Sequence, residues 1–131
     1  VAPEYLKASE DGIGDPDPWL QARRESYRNI EQGVRERLLE RSAQNGAAIQ
    51  LNDYQCCDKF DLMREVEDIS LPTHAICGTA DAMTPPRYTS YLVEKIPGAQ
   101  STLVDGASHW VQLEKHREVN KAIETFVATL E

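Results

Sequence analysis

The chain has 131 residues, 40% of them hydrophobic and 27% charged, with a formal net charge of −8. That is the composition of one ordinary soluble globular domain, and an acidic excess spread along the chain argues against a nucleic-acid partner. No apolar run approaches the length of a membrane helix and no secretory apolar core is visible, so no membrane partner is expected.

In chain order, residues 1–6 can form one short helical turn, and the polar, glycine-bearing stretch 9–15 breaks periodicity and reads as a linker. Asp17-Pro18-Trp19 has the form of a cap followed by a first-turn proline. Leu20, Tyr27, Ile30, Val34 and Leu38 then recur at near-helical spacing, with Gln32-Gly33 dividing the run into two helices. Between Arg23 and Arg41, Glu and Arg residues three or four apart interleave, which is the pattern of a solvated helix face rather than an anion site. Asn45-Gly46 turns the chain. Residues 47–57 read as another short helix with Ala48, Leu51, Tyr54 and Cys57 inward, and Phe60, Met63 and Val66 as the apolar side of a last turn or two.

From Leu71 the character changes. Residues 73–77 are a short, mostly apolar run ending at Gly78, which fits a buried strand, and Asp81 lies in the loop just beyond it. Thr84-Pro85-Pro86 opens a helix, with Thr84 as its cap, Pro85 in its first turn, and Tyr88, Tyr91, Leu92 and Ile96 as its apolar side. Pro97-Gly98 stops it. A second strand over residues 101–104 must lie parallel to the first, because a helical crossover returns the chain to the same edge. It ends at Asp105-Gly106, and His109 follows at once. Asp81 and His109 therefore leave the carboxyl ends of neighbouring parallel strands, where open α/β sheets place their chemistry. A final helix from Arg117 carries Val119, Ile123, Phe126, Val127 and Leu130 along one face.

A carboxylate and an imidazole at adjacent strand ends form a catalytic pair by a simple logic. The imidazole takes a proton from a hydroxyl only if its other nitrogen is held in the right tautomer, and a buried carboxylate does this while stabilising the imidazolium that forms. On these residues, G-x-x-D around Asp81 and W-x-x-x-E after His109, the segment 71–131 resembles the C-terminal part of an α/β-hydrolase. The strand-free helices before it resemble the cap that this family inserts ahead of the acid-bearing strand. The resemblance implies a fragment of that fold, with a helical cap segment over residues 1–70. Residues 71–131 would be the C-terminal core, with two parallel strands, a crossover helix and a C-terminal helix. It implies Asp81 as the triad acid and His109 as the base, in the family's chain order of nucleophile, acid, histidine. Ser108 departs from the glycine that is commoner before the histidine, and His116 from a commoner proline.

The nucleophile is missing. None of the 7 glycines flanks a Ser, Asp or Cys at the spacing of the G-x-S-x-G elbow. Ser108 sits on the wrong strand end, and Cys57 has the right order for a thiol triad but no glycine-flanked turn. His74 lies within a strand and His116 begins a helix, so both read as structural or exposed. No spacing supplies three or four metal ligands, and no cofactor is expected. The 3 cysteines, Cys56, Cys57 and Cys77, give no disulfide framework, which implies a reducing, cytoplasmic setting.

The leading expectation is a serine hydrolase of esters, thioesters or lactones, whose small-molecule ester-type substrate meets a serine outside these residues. An aspartate nucleophile, as in epoxide hydrolases and haloalkane dehalogenases, whose histidine is often followed by Trp as here, is the alternative within enzymes. A non-catalytic, self-associating fragment is the alternative outside them. Two strands are a poor sheet, so the open edge is expected to pair with the missing N-terminal half of the fold or with a second copy. The chain alone is expected to be inactive.

Overall fold

A computed structural model describes residues 1–130. They fall into two compact units, Val1–Asp61 and a second beginning at Leu62.

The first unit is wholly helical: α1 (Pro3–Gly14), α2 (Pro16–Ser26), α3 (Gln32–Asn45) and α4 (Ala47–Lys59). Residues 9–15, expected as a linker, are mostly the second half of α1. Burial explains this. Gly12 lies inside the unit with no room for a side chain, since a Cβ there would stand 2.7 Å from the Trp19 Cβ and 3.0 Å from the Ala47 Cβ. Close packing of α1 on α2 and α4 outweighs the ~1 kcal/mol by which glycine disfavours a helix. Buried polar groups are matched as well: the Gln50 Oε1 accepts from the Trp19 indole at 2.6 Å and from the Ser9 hydroxyl at 3.2 Å. One amide thus joins α1, α2 and α4.

Caps fall one or two residues before where the sequence suggests. Asp15, not Asp17, caps α2, accepting from the Asp17 N–H, and Pro16 takes the first turn. The break between α2 and α3 comes before Gln32, where the Glu31 carboxylate accepts from the N–H groups of Gly33 at 2.8 Å and Val34 at 3.0 Å. Those bonds, the Gly33 one foremost, hold the Glu31 carboxyl below its usual value. In α4 the inward residue is Ala47, while Ala48 and Cys57 are exposed. Phe60 is 69% exposed.

The second unit opens with a 3-10 turn (Glu65–Asp68), then β1 (His74–Gly78), α5 (Pro86–Lys95), β2 (Gln100–Val104), α6 (Val111–Glu114) and α7 (His116–Val127). The 3-10 turn packs on α5, and the Tyr91 hydroxyl donates to the Met63 carbonyl at 2.8 Å, so residues 62–70 go with the strands rather than with the helices before them. The Met63 side chain itself stays outside, 47% exposed, where an inward one was expected. β1 and β2 are parallel, with His74 opposite Gln100 and Gly78 opposite Val104. The crossover is α5, closed by Gly98 at φ 75°, a left-handed turn that suits glycine.

Val104, Ala107 and Val119 form the core of this unit, with Ile76 and Val111 packed against them. On α7 the inward line runs Val119, Ala122, with the Phe126 ring tilted at 56° against His74, 5.0 Å between centroids, and the His74 Nε2 meets the Thr102 hydroxyl at 3.0 Å. His74 is therefore a packing residue. Ile123 and Val127, expected along the buried face, are 47% and 48% exposed, because the apolar stripe of α7 is wider than the surface that β1 and β2 present to it.

Candidate active site

Asp81 and His109 come together. The loop after β1 starts at Gly78, where a Cβ would stand 2.2 Å from the Ala107 carbonyl oxygen and 2.6 Å from that of Ser108. The missing side chain lets the loop after β2 lie directly on the loop after β1. Backbone bonds fasten them, from Thr79 N–H to the Val104 carbonyl at 3.0 Å and from Ala80 N–H to the Ala107 carbonyl at 2.9 Å. Thr79 adds a third tie, its hydroxyl oxygen accepting from Gly106 N–H at 2.8 Å. Gly106 has φ 68°, the left-handed turn that sends the chain toward His109.

On this frame the His109 Nδ1 lies 3.0 Å from the Asp81 Oδ2 and 3.2 Å from Oδ1. The carboxylate is 6% exposed and the imidazole 31%. Asp81 Oδ1 also accepts from the N–H groups of Met83 and Thr84, both at 2.9 Å, and Oδ2 from the Thr84 hydroxyl at 2.9 Å. Burial, the largest single influence, pushes the Asp81 carboxyl up. The Thr84 N–H, His109 and the Thr84 hydroxyl together outweigh it, and the net displacement is downward. At neutral pH Asp81 is thus an acceptor only, which makes the His109 Nδ1 the donor. In a neutral ring the lone pair then sits on Nε2, which has no hydrogen-bond partner among the described residues. The Trp110 ring stands edge-on to the imidazole at 5.2 Å and 73°.

The arrangement can take a proton on Nε2 from a group placed before it and stabilise the resulting imidazolium through Asp81. Thr84 was expected as the cap of α5, but no side chain caps that helix, and the Thr84 hydroxyl serves Asp81 instead. The signal lay in the local sequence. Pro85 and Pro86 donate nothing, so the N–H groups of Met83 and Thr84 just before them turn back onto Asp81. Ser108 gives its N–H to Glu114 at 2.8 Å and its hydroxyl to the same carboxylate, so it is engaged away from a nucleophile's role. Cys57 belongs to α4, in the first unit, and Asp81 and His109 to the second.

No family model matches the chain. It is 28% identical to a thermophilic esterase of known structure, with a TM-score of 0.79, covering 98% of this chain and 51% of that one. A bromoperoxidase from Bacillus anthracis matches with a TM-score of 0.79 at 21% identity, over 94% of this chain and 48% of that one. An esterase from Exiguobacterium antarcticum matches with a TM-score of 0.80 at 15% identity, over 95% and 47%. Among curated proteins, epoxide hydrolase A of Mycobacterium tuberculosis (strain ATCC 25618 / H37Rv) is 41% identical over 64 residues, which are 48% of this chain and 20% of that protein. The chain has the α/β-hydrolase fold of these proteins, two parallel strands joined by a helix included. It spans about half the length of the solved structures and a fifth of the curated relative.

Proposed function

We propose that this chain carries the acid and the base of a hydrolase that cleaves an ester, thioester or lactone, with the nucleophile, a serine, supplied from outside these 131 residues. His109 is the general base and then the acid, and Asp81 orients it. The observation that carries this reading is the 3.0 Å approach of His109 Nδ1 to a nearly closed carboxylate at the ends of adjacent parallel strands. The matched structure that is 28% identical is named an esterase, which favours ester-type chemistry. In this reading the helical first unit corresponds to the cap segment of the fold, and the protein works in the cytoplasm. Among the described residues no helix is long and apolar enough to cross a membrane.

The test uses a serine-directed phosphonate probe and chromogenic esters. The 131-residue chain should show no labelling and no turnover that depends on His109. In the longer polypeptide that bears the elbow, Asp81→Asn or His109→Ala should lower kcat by ~10³-fold or more. A robust rate from this chain alone, abolished by His109→Ala, sinks the proposal.

A second reading keeps Asp81 and His109 and places an aspartate on the elbow, so that His109 activates water against an alkyl-enzyme ester. The likeness to an epoxide hydrolase favours it. The residue on the elbow, Ser or Asp, decides between the two.

A further inference from the structure

The turn that carries His109 is closed by a side chain from beyond it. Glu114 ends α6, and its carboxylate reaches back past Trp110 and His109 to the residue before them. Its Oε2 accepts from the Ser108 N–H at 2.8 Å, and its Oε1 from the Ser108 hydroxyl in a short contact. Both bonds are charge-assisted, the stronger class of hydrogen bond. Glu114 itself stands on a fixed base. Its N–H donates to the Trp110 carbonyl at 2.9 Å, and the Lys115 carbonyl that follows receives the Val119 N–H at 3.0 Å. Val119 is in the core with Ala107.

The turn is thus held from both sides. Ala107 is fixed on its own side by the Ala80 N–H and by contact with Gly78. Ser108 is fixed by Glu114. The imidazole can keep its bond to Asp81 only while the backbone beneath it stays in place, since hydrogen bonds weaken steeply as distance and angle depart from the optimum. We propose that Glu114 is a positioning residue for His109, acting through Ser108. This rests on the reading of Asp81 and His109 as a working pair, and it assigns the W-x-x-x-E spacing a mechanical purpose. Ser108 has one here too: its hydroxyl supplies the second bond, which a glycine could not.

The experiment follows the ring N–H of His109 by NMR in the ¹⁵N-labelled full chain, reading its exchange with water. In Glu114→Ala the ring proton should exchange faster by about tenfold or more, or its resonance should vanish, while the amide signals of β1 and α5 stay in place. Glu114→Gln keeps an acceptor for the Ser108 N–H and can donate to the Ser108 hydroxyl, so it should restore most of the protection. Ser108→Gly, which loses one bond of the two, should fall between them.

An unchanged rate in Glu114→Ala overturns the proposal, as does a Glu114→Gln chain no better protected than Glu114→Ala. Should Glu114→Ala lose its fold, an unchanged rate in Ser108→Gly overturns it instead. Asp81→Asn separates the two ideas. If that variant keeps the wild-type resonance, the pairing of Asp81 with His109 fails, and the role of Glu114 fails with it. If Asp81→Asn loses the resonance and Glu114→Ala keeps it, the pair stands and only the clamp falls.

Discussion

Four donors converge on the two oxygens of Asp81: the N–H groups of Met83 and Thr84, the Thr84 hydroxyl and the His109 Nδ1–H. A carboxylate so supplied stays charged despite its burial, and this has a consequence for stability. Its folded-state value is depressed, so its contribution is fully present above the ordinary aspartate value of about 3.9 and is lost as pH falls through the folded value below that. The urea midpoint of the wild-type chain should therefore exceed that of Asp81→Asn at neutral pH. The difference should close below about pH 4. Urea titrations of both chains across that range check this, and a difference that widened toward low pH would contradict the charge state assigned to Asp81. The pair itself was legible in the sequence, because two strand-ending signals, Gly78 and Asp105-Gly106, each precede one ionisable residue. Thr84 was readable as a support only through the two prolines that follow it, and the Ser108–Glu114 bonds were not readable, because they depend on how the turn after His109 folds back on itself.

Helices and strands were easier to foresee than their edges, and the misplaced edges share a cause. The crossover unit from β1 to β2 follows from its apolar runs and its Pro-Gly stop. The second half of α1 was missed because Gly12 and Gly14 look like chain breakers until Trp19 and Ala47 are seen against Gly12. Gly12→Ala tests which influence dominates there. Alanine gains about 1 kcal/mol of helix propensity, but its Cβ would overlap the root of Trp19, and overpacking of that kind costs about 1–3 kcal/mol. A net loss of up to about 2 kcal/mol in chemical denaturation is expected, and a stabilised variant would show that α1 and α2 can part at no cost. Gly78→Ala should be worse. Its Cβ meets backbone carbonyls rather than a side chain, so the two site loops must separate. A loss of about 3 kcal/mol is expected, together with faster exchange of the Ala80 amide now bonded to Ala107.

On the scale of the whole chain, the sheet is the unusual feature. Two parallel strands are fewer than a sheet normally needs, and parallel sheets are ordinarily buried on both faces. Here Leu103, in the middle of an apolar strand end, is 48% exposed, and the outer stripe of α7 at Ile123 and Val127 is about as open. The solved structures that the chain matches run to about twice its length, and we propose that further strands and helices of that fold cover these groups. Without them, exposed strand edges and apolar side chains favour pairing with another chain. The 131-residue chain should therefore self-associate, its weight-average mass in sedimentation equilibrium rising above 14.7 kDa with concentration. Leu103→Lys places a charge on the open face at little cost to the fold, because the side chain is already half in water, and should shift the equilibrium toward monomer by about tenfold or more. Adding a polypeptide with the elbow and the preceding strands should compete with self-association in the wild-type chain. A compact monomer at every concentration, unchanged by Leu103→Lys, would mean that the two strands and three helices of the second unit satisfy themselves.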